Sequence, residues 1–445
     1  MTASLSRASV FFAVDLHIEF ERIQCLIISS TIRKMFEHLA EEDGALFSSH
    51  VKELEKQRSS LHMIPSDNIA SLPVLEALSI PAQNRYAEGY PGKRYYGGQE
   101  YIDEIETLAI ERAKKLFGAE HVNVQPYSGS SANQAVFFAL LELRDTFMGM
   151  RLDHGGHLTH GHPVNFSGRH YNAVQYSVRK EDELIDFDEV RALAKQHKPK
   201  IITAGYTAYP RAIDFAHFRE ICDEVGAYFF VDMSHFAGLV AGGAYPSPVP
   251  YADVIMTTTH KTLRGPRGAI IMCREELAQK IDKAVFPGLQ GGPHEHAIAA
   301  KAVCFAEAMQ PSFREYAHRV VSNAKRLSEK MQGMRLVSGG TDSHLILADL
   351  QQKLTGKEAE KALDEAGITV NKNTIPYDVR KPFDPSGIRF GTPTLTSRGM
   401  KEQEMDKVAE LMNDVIANHN DDAVKKRVRA DVKELCARFP IYPEL

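Results

Sequence analysis

The sequence has no CxxC pair, and its five cysteines (Cys25, Cys222, Cys273, Cys304, Cys436) are scattered and odd in number. That argues against a disulfide framework and for a reducing, cytoplasmic setting. No stretch approaches the ~18 consecutive apolar residues of a membrane span, so no transmembrane helix is expected. The run SVFFAV at 9–14 is too short and poorly flanked for a signal peptide, and Asp15, Glu19 and Glu21 argue against a transit peptide. Charge of one sign is also scarce in excess. Lys and Arg number 53 against 58 Asp and Glu, a formal net charge of −5, which gives no footing for nucleic acid or an anionic membrane. There is no GK[ST] to make an ATP loop and no HExxH to make a zinc helix. No internal repeat or low-complexity tract appears.

What remains is an ordinary globular balance. The 445 residues are 43% hydrophobic and 25% charged, enough for two or three domains with sizeable cores. An amphipathic helix is expected from Met35 to about residue 57. Another is expected from Ile102 to Phe117, with apolar residues at helical spacing and Gly118 as its stop. After that, β-rich runs at 121–126, 200–206, 227–232, 253–259 and 268–273 alternate with helical stretches. Such alternation predicts an α/β domain with a largely parallel or mixed sheet, whose ligands sit at the carboxyl ends of the strands. A long helical stretch at 294–332 leads to strands within LVSGGTDSHLILADL. Thr355 then caps a helix with Glu358 three residues on, and a last helix spans Met400 to His419.

Asp232, closing FFVD, and Lys261, in TTTHKTLRGPRG, both fall at or just beyond strand ends. A buried acid needs a cation or a donor. It is either structural or the partner of a protonated ring nitrogen, with a neighbouring lysine forming a Schiff base to an aldehyde cofactor. Ser128, Gly129 and Ser130 stand where a strand gives way to a helix, either as a plain cap or as a phosphate cradle. HGGHLTHGH holds His154, His157, His160 and His162, which suit a metal, a stack on a flat cofactor ring, or a structural role. Arg389 in SGIRFGTP suits a bidentate grip on a carboxylate, or a plain salt bridge.

Longer blocks go further. YAEGYPGKRYYGG (86–98), PVNFSG, VDMSHFAGLVAGG, TTTHKTLRGPRG, FPGLQGGP, TVNKN and SGIRFGTP occur in this order. Together they strongly resemble serine hydroxymethyltransferase over roughly residues 40–443. The resemblance implies an α/β fold of pyridoxal-phosphate fold type I. That fold has a large domain with a mixed, mostly parallel seven-stranded sheet and a smaller α/β C-terminal domain. It divides the chain into an N-terminal extension of unknown role (1–40), an N-terminal arm (41–85), a large cofactor-binding domain (86–312) and a small domain (313–445).

The resemblance also implies roles. Lys261 would carry pyridoxal 5'-phosphate as a covalent aldimine, with His260 shaping the site. Asp232 would face the ring nitrogen, His235 would neighbour the ring hydroxyl, and His157 would stack on the ring. Ser128, Gly129 and Ser130 would hold the phosphate, joined by Gly292 from a second subunit, and Thr207 would contact the cofactor. Arg389, helped by Ser66, would bind the amino-acid carboxylate. Glu88 would be the acid/base for the hydroxymethyl group, with Tyr86 and Tyr96 contributed across the dimer. Asn373 and the Leu152 backbone would contact the pterin. No metal is implied.

The implied reaction interconverts serine plus tetrahydrofolate with glycine plus 5,10-methylenetetrahydrofolate, in one-carbon metabolism and amino-acid biosynthesis. It would run in a cytoplasmic homodimer, or a tetramer, without nucleic acid or membrane. An alternative is a relative acting on 2-methylserine or on threonine-type 3-hydroxy amino acids. Pro65 and Asp67 in IPSDN depart from the family's usual Ala-Ser-Glu-Asn and bear on that choice. Residues 1–34 exceed a typical bacterial member, which makes Met35 a candidate start.

Overall fold

The computed structural model describes residues 36–351 and 353–445. The readings of SVFFAV, of Cys25 and of Met35, with most of the 1–40 segment, lie outside the described residues. Two compact units emerge, one of Leu61–Val432 and one joining the chain before Leu61 to Lys433–Leu445. In the smaller unit the helix expected from Met35 is two helices, Glu37–Glu42 and Gly44–Ser59. Asp43 breaks it because its side chain caps the second helix, accepting from the Leu46 N–H at 2.9 Å. Arg58 donates to the carbonyls of Ile441 and Tyr442, holding the end of the Gly44–Ser59 helix to the C-terminal segment within this unit.

The larger unit is organised by a seven-stranded sheet. Its strands are β1 (His121–Asn123), β2 (Thr146–Met150), β3 (Asn172–Tyr176), β4 (Ile201–Ala204), β5 (Tyr228–Asp232), β6 (Val254–Thr258) and β7 (Ala269–Cys273). The spatial order is β1-β7-β6-β5-β4-β2-β3. Only β7 runs antiparallel to its neighbours; the pairs from β6 across to β3 are parallel. The sheet is therefore mixed and mostly parallel, as the resemblance implies. Its inner strands are apolar on both faces, as a sheet covered by helices on both sides requires. Two clusters of buried side chains, one on each face, form the core.

Helix α1 (Glu100–Phe117) ends where Gly118 takes a left-handed φ of 72°, as its sequence predicts. Helix α2 (Gly129–Leu140) starts just past β1, and α3 (Phe187–His197) and α4 (Phe215–Val225) are crossover helices. In α4, Phe215, Phe218, Ile221 and Cys222 share one buried face. Truncating Phe218 to alanine there costs about 3–5 kcal/mol. The stretch expected as one helix at 294–332 is two, α5 (Glu295–Ala308) and α6 (Pro311–Lys330), because Pro311 starts the second.

A second sheet, wholly antiparallel, contains β8 (Arg335–Leu336), β9 (Leu345–Asp349), β10 (Asn371–Asn373) and β11 (Gly387–Gly391) in the order β8-β9-β11-β10. Arg389 sits on β11, opposite Leu347 and Asn371. Between β9 and β10, α7 (Gly356–Glu365) carries the expected capping box of Thr355 and Glu358. The last expected helix is α8 (Glu402–Ala417). Among the described residues no helix is long and apolar enough to cross a membrane. Cys222, Cys273 and Cys304 are buried free thiols.

Candidate active site

Because β5 and β6 are adjacent and parallel, their carboxyl ends open on the same edge of the sheet. Asp232 closes β5, Thr258 closes β6, and Lys261 follows three residues later. Gly205, just past β4, has φ 103°, and a Cβ there would lie 1.9 Å from the Asp232 carbonyl oxygen. Only glycine lets the two strand ends approach this closely. They border a compact cavity of about 190 Å³ lined largely by polar side chains.

One wall is the N-terminus of α2. Ser128 caps it reciprocally with Ser131: the Ser128 N–H donates to Ser131 Oγ at 3.0 Å and the Ser131 N–H to Ser128 Oγ at 3.4 Å. The first-turn amides of Gly129 and Ser130 remain for an anion, at the positive end of the helix. A Cβ on Gly129 would come 2.7 Å from Thr258 Cγ2, so glycine lets this helix end lie against β6.

The floor is Asp232, only 7% exposed. His160 Nε2 donates to its Oδ2 at 3.2 Å, Asn133 Nδ2 to the same oxygen at 3.0 Å, and the Ser234 N–H to Oδ1 at 3.1 Å. Burial works to raise this carboxyl, but His160, His157 and Asn133 hold it below the usual carboxylate range. It is a fixed negative charge. Lys261 Nζ donates to Thr258 Oγ1 at 2.9 Å. Burial lowers its ammonium to about 8, against the pull of Asp232 and with help from Arg389 and Arg267. An amine in that range is available as a nucleophile near neutral pH. Burial likewise depresses His157 to about 4 and His260 to about 3, so both rings are neutral.

Of the residues singled out in the sequence, Ser128, Gly129, Ser130, His157, Thr207, Asp232, His235, His260 and Lys261 all line this cavity. The Thr207 hydroxyl is committed to the Gly155 and Gly156 carbonyls, so what it offers beyond that is its position. Arg389 borders the same region: it donates to the Thr207 carbonyl and, at 3.0 Å, to Asn371 Oδ1. Burial lowers it to about 10 while Asp67 pulls it upward, which places the Ser66–Asp67 loop beside it electrostatically. Leu152 opens a short 3-10 turn, and Asn373 lies on β10, its amide donating to the Thr374 carbonyl at 2.7 Å.

Glu88, Tyr86, Tyr96 and Gly292 do not line the cavity. They meet one another elsewhere. Tyr86 and Tyr96 form an edge-to-face pair at 5.5 Å and are 60% and 49% exposed. The Tyr86 ring lies over Gly292, and the charge of Glu88 beside Tyr86 pushes its hydroxyl up. Tyr127, next to the Ser128 cradle, donates to the Gly292 carbonyl at 2.7 Å.

Several site residues carried no signal strong enough to be singled out. Asn133, Tyr206, Ser234, Thr258 and Arg267 also line the cavity. Asn68 donates from its amide to the Lys261 carbonyl and to the Tyr316 hydroxyl, each at 2.8 Å. Asn133 alone had a visible cue, a polar residue on the buried face of SANQAVFFAL. The histidine loop divides its labour. His160 serves Asp232, His157 faces the cavity, and His154 Nδ1 accepts from the Val178 N–H. His157, His160 and Asp232 bring ligand atoms within 4.8 Å of one another. However, Asp232 Oδ2 already accepts two hydrogen bonds and His157 Nδ1 lies 2.7 Å from Thr159 Oγ1, which leaves those atoms committed within the protein.

A helix N-terminus for a phosphate, a lowered lysine for an aldehyde and a fixed carboxylate for a ring nitrogen suit pyridoxal phosphate part by part. Comparison with known families agrees: the family model described as serine hydroxymethyltransferase matches residues 39–412.

Proposed function

The chain belongs to the serine hydroxymethyltransferase family, and we propose that it moves the serine hydroxymethyl group to tetrahydrofolate, giving glycine, 5,10-methylenetetrahydrofolate and water, reversibly. Membership carries pyridoxal-phosphate fold type I and a pyridoxal-phosphate-dependent one-carbon transferase chemistry. The substrates, the site roles, a homodimer and a cytoplasmic setting are part of the proposal.

The observation that carries it is the alignment of Ser128–Ser130, Asp232 and Lys261 around one cavity. When bound, pyridoxal phosphate supplies an aldehyde for amines and a ring that withdraws electrons from the carbon beside the nitrogen. Lys261 Nζ presents the amine that holds it. Asp232 keeps the proton on the ring nitrogen, because a carboxylate already met by three donors stays ionised. His157 offers a neutral face to the ring. The first turn of α2 binds the phosphate.

Arg389 grips the serine carboxylate, with Ser66 nearby, and so fixes which bond of serine is turned for cleavage. Glu88 holds and moves the proton of the serine hydroxyl, and Tyr86 and Tyr96 enclose it. Since Tyr86 and Tyr96 are exposed and none of these three residues nor Gly292 lines this chain's own cavity, we assign them to the active site of a second copy. Asn373 and Leu152 are assigned to the pterin. Glycine release from serine, measured with the purified protein plus pyridoxal phosphate, tests the reading. Formation that depends on tetrahydrofolate supports it. Equal formation without folate, or turnover of 2-methylserine or threonine in preference to serine, moves the assignment to an aldolase-like relative.

A further inference from the structure

His344 was read only as part of a strand-forming run, and the proposed reaction gives it no task. It immediately precedes β9 on the second sheet and is 1% exposed. Its Nε2 lies 3.2 Å from His235 Nδ1, and the two rings are nearly parallel, with centroids 5.4 Å apart at 26°. Its other nitrogen, Nδ1, is buried with no partner. His235 lines the cavity, so with its Nδ1 turned to His344 its Nε2 is left for the cavity's contents.

Both rings are neutral. Burial depresses each, and the cations Lys261 and Arg389 add to it, with His157 a further neighbour of His235; His344 falls to about 3. Two neutral imidazoles sharing one contact need one proton between the facing nitrogens, and only two arrangements exist. If His235 donated, His344 would carry its proton on Nδ1, as a buried N–H with no acceptor. If His344 donates from Nε2, its Nδ1 is only an unfilled acceptor. An orphaned buried N–H is the rarer and costlier state. The second arrangement leaves His235 Nδ1 accepting, which puts the His235 proton on Nε2.

We propose that His344 is a positioning residue that sets the tautomer of His235, so that His235 turns an N–H donor rather than a lone pair into the cavity. The ligand atom it serves is therefore an acceptor, an oxygen and not a hydroxyl proton. The tautomer rests on the geometry. Only the identity of that oxygen, on the pyridoxal phosphate ring, rests on the proposed function.

The test uses the full-length protein with 15N-labelled histidine, read by long-range proton–nitrogen NMR with and without pyridoxal phosphate. The His235 and His344 signals are identified from single variants. The proton is expected on Nε2 of both rings. His344→Leu removes the donor and is expected to disturb the His235 tautomer and to weaken pyridoxal phosphate binding by about tenfold. His344→Asn, which keeps an N–H near the same place, is expected to restore both to within about threefold. A His235 proton on Nδ1 in the unaltered protein, or an unmoved His235 signal in His344→Leu, overturns the proposal. If His344→Leu fails to fold, the unaltered protein and His344→Asn still decide. A protein that binds no pyridoxal phosphate yet shows the expected tautomer contradicts the functional reading and leaves this inference standing.

Discussion

Asp232 and Tyr86 stand in opposite surroundings. Asp232 is met by His160, Asn133 and a backbone N–H, all within one chain. Around it the cavity wall is assembled from β5, β6 and the start of α2. Tyr86 and Tyr96, by contrast, leave much of their rings in solvent, and Glu88 beside them lies apart from the cavity. The groups proposed to meet the cofactor's ring and aldehyde, Asp232 and Lys261, are set by the fold of a single chain. The tyrosines proposed to enclose the hydroxymethyl group are turned outward, as a surface for another copy would be. On the proposed reading the comparison separates two kinds of functional residue: those held by their own sheet, and those whose partners would arrive only on assembly.

The largest expected effect comes from the finished half. Lys261→Ala should lower serine turnover on the order of 10^4-fold or more and abolish the visible absorbance of bound cofactor. Retained absorbance on dialysis would move the attachment elsewhere. Glu88→Gln, in the outward half, should cost roughly 10^2- to 10^4-fold in turnover with pyridoxal phosphate affinity unchanged. A loss of cofactor affinity of similar size would erase the distinction between the halves. Arg389→Ala bridges them. It should lower turnover per serine by at least about thirtyfold, the low end of ~2–5 kcal/mol for an unpaired buried ionic contact, while cofactor binding persists. Titration of pyridoxal phosphate uptake and of serine saturation reads the two separately.

The smallest effect is in pH. Lys261 is lowered to about 8 from 10.5, so its amine is free above about pH 8 and protonated below it. Capture of pyridoxal phosphate by the cofactor-free protein should rise with pH through that range and level off above it. A rise that continues towards pH 10.5 contradicts the lowered value.

The sequence made the finished half legible because strand–helix alternation places chemistry at strand ends. Asp232 and Lys261 could be read from the runs that precede them, and Ser128 from the junction it occupies. Two strands of the same sheet were missed. TFMGM carries methionines and a glycine in place of β-branched residues, and NAVQY, β3 at the sheet's edge, is largely polar. Asn68 and His344 were missed for a different reason. Each acts through a partner distant in sequence, such as Asn68 on the Lys261 carbonyl, and no local pattern announces such a contact. The roles proposed for Glu88 and the tyrosines rest only on a long block shared with a family, because local physics gives an exposed aromatic residue no chemistry.

The most direct test of the divided site is complementation. Lys261→Ala and Glu88→Gln proteins, each nearly inactive, are mixed, dissociated and reassociated together. If each site takes its lysine from one chain and its glutamate from the other, half the dimers are mixed and each has one intact site. Serine turnover should then return to about a quarter of the unaltered protein's. If turnover stays at the level of the separate variants although mixed dimers form, Glu88 and Lys261 serve the same chain, and the account of two halves is wrong.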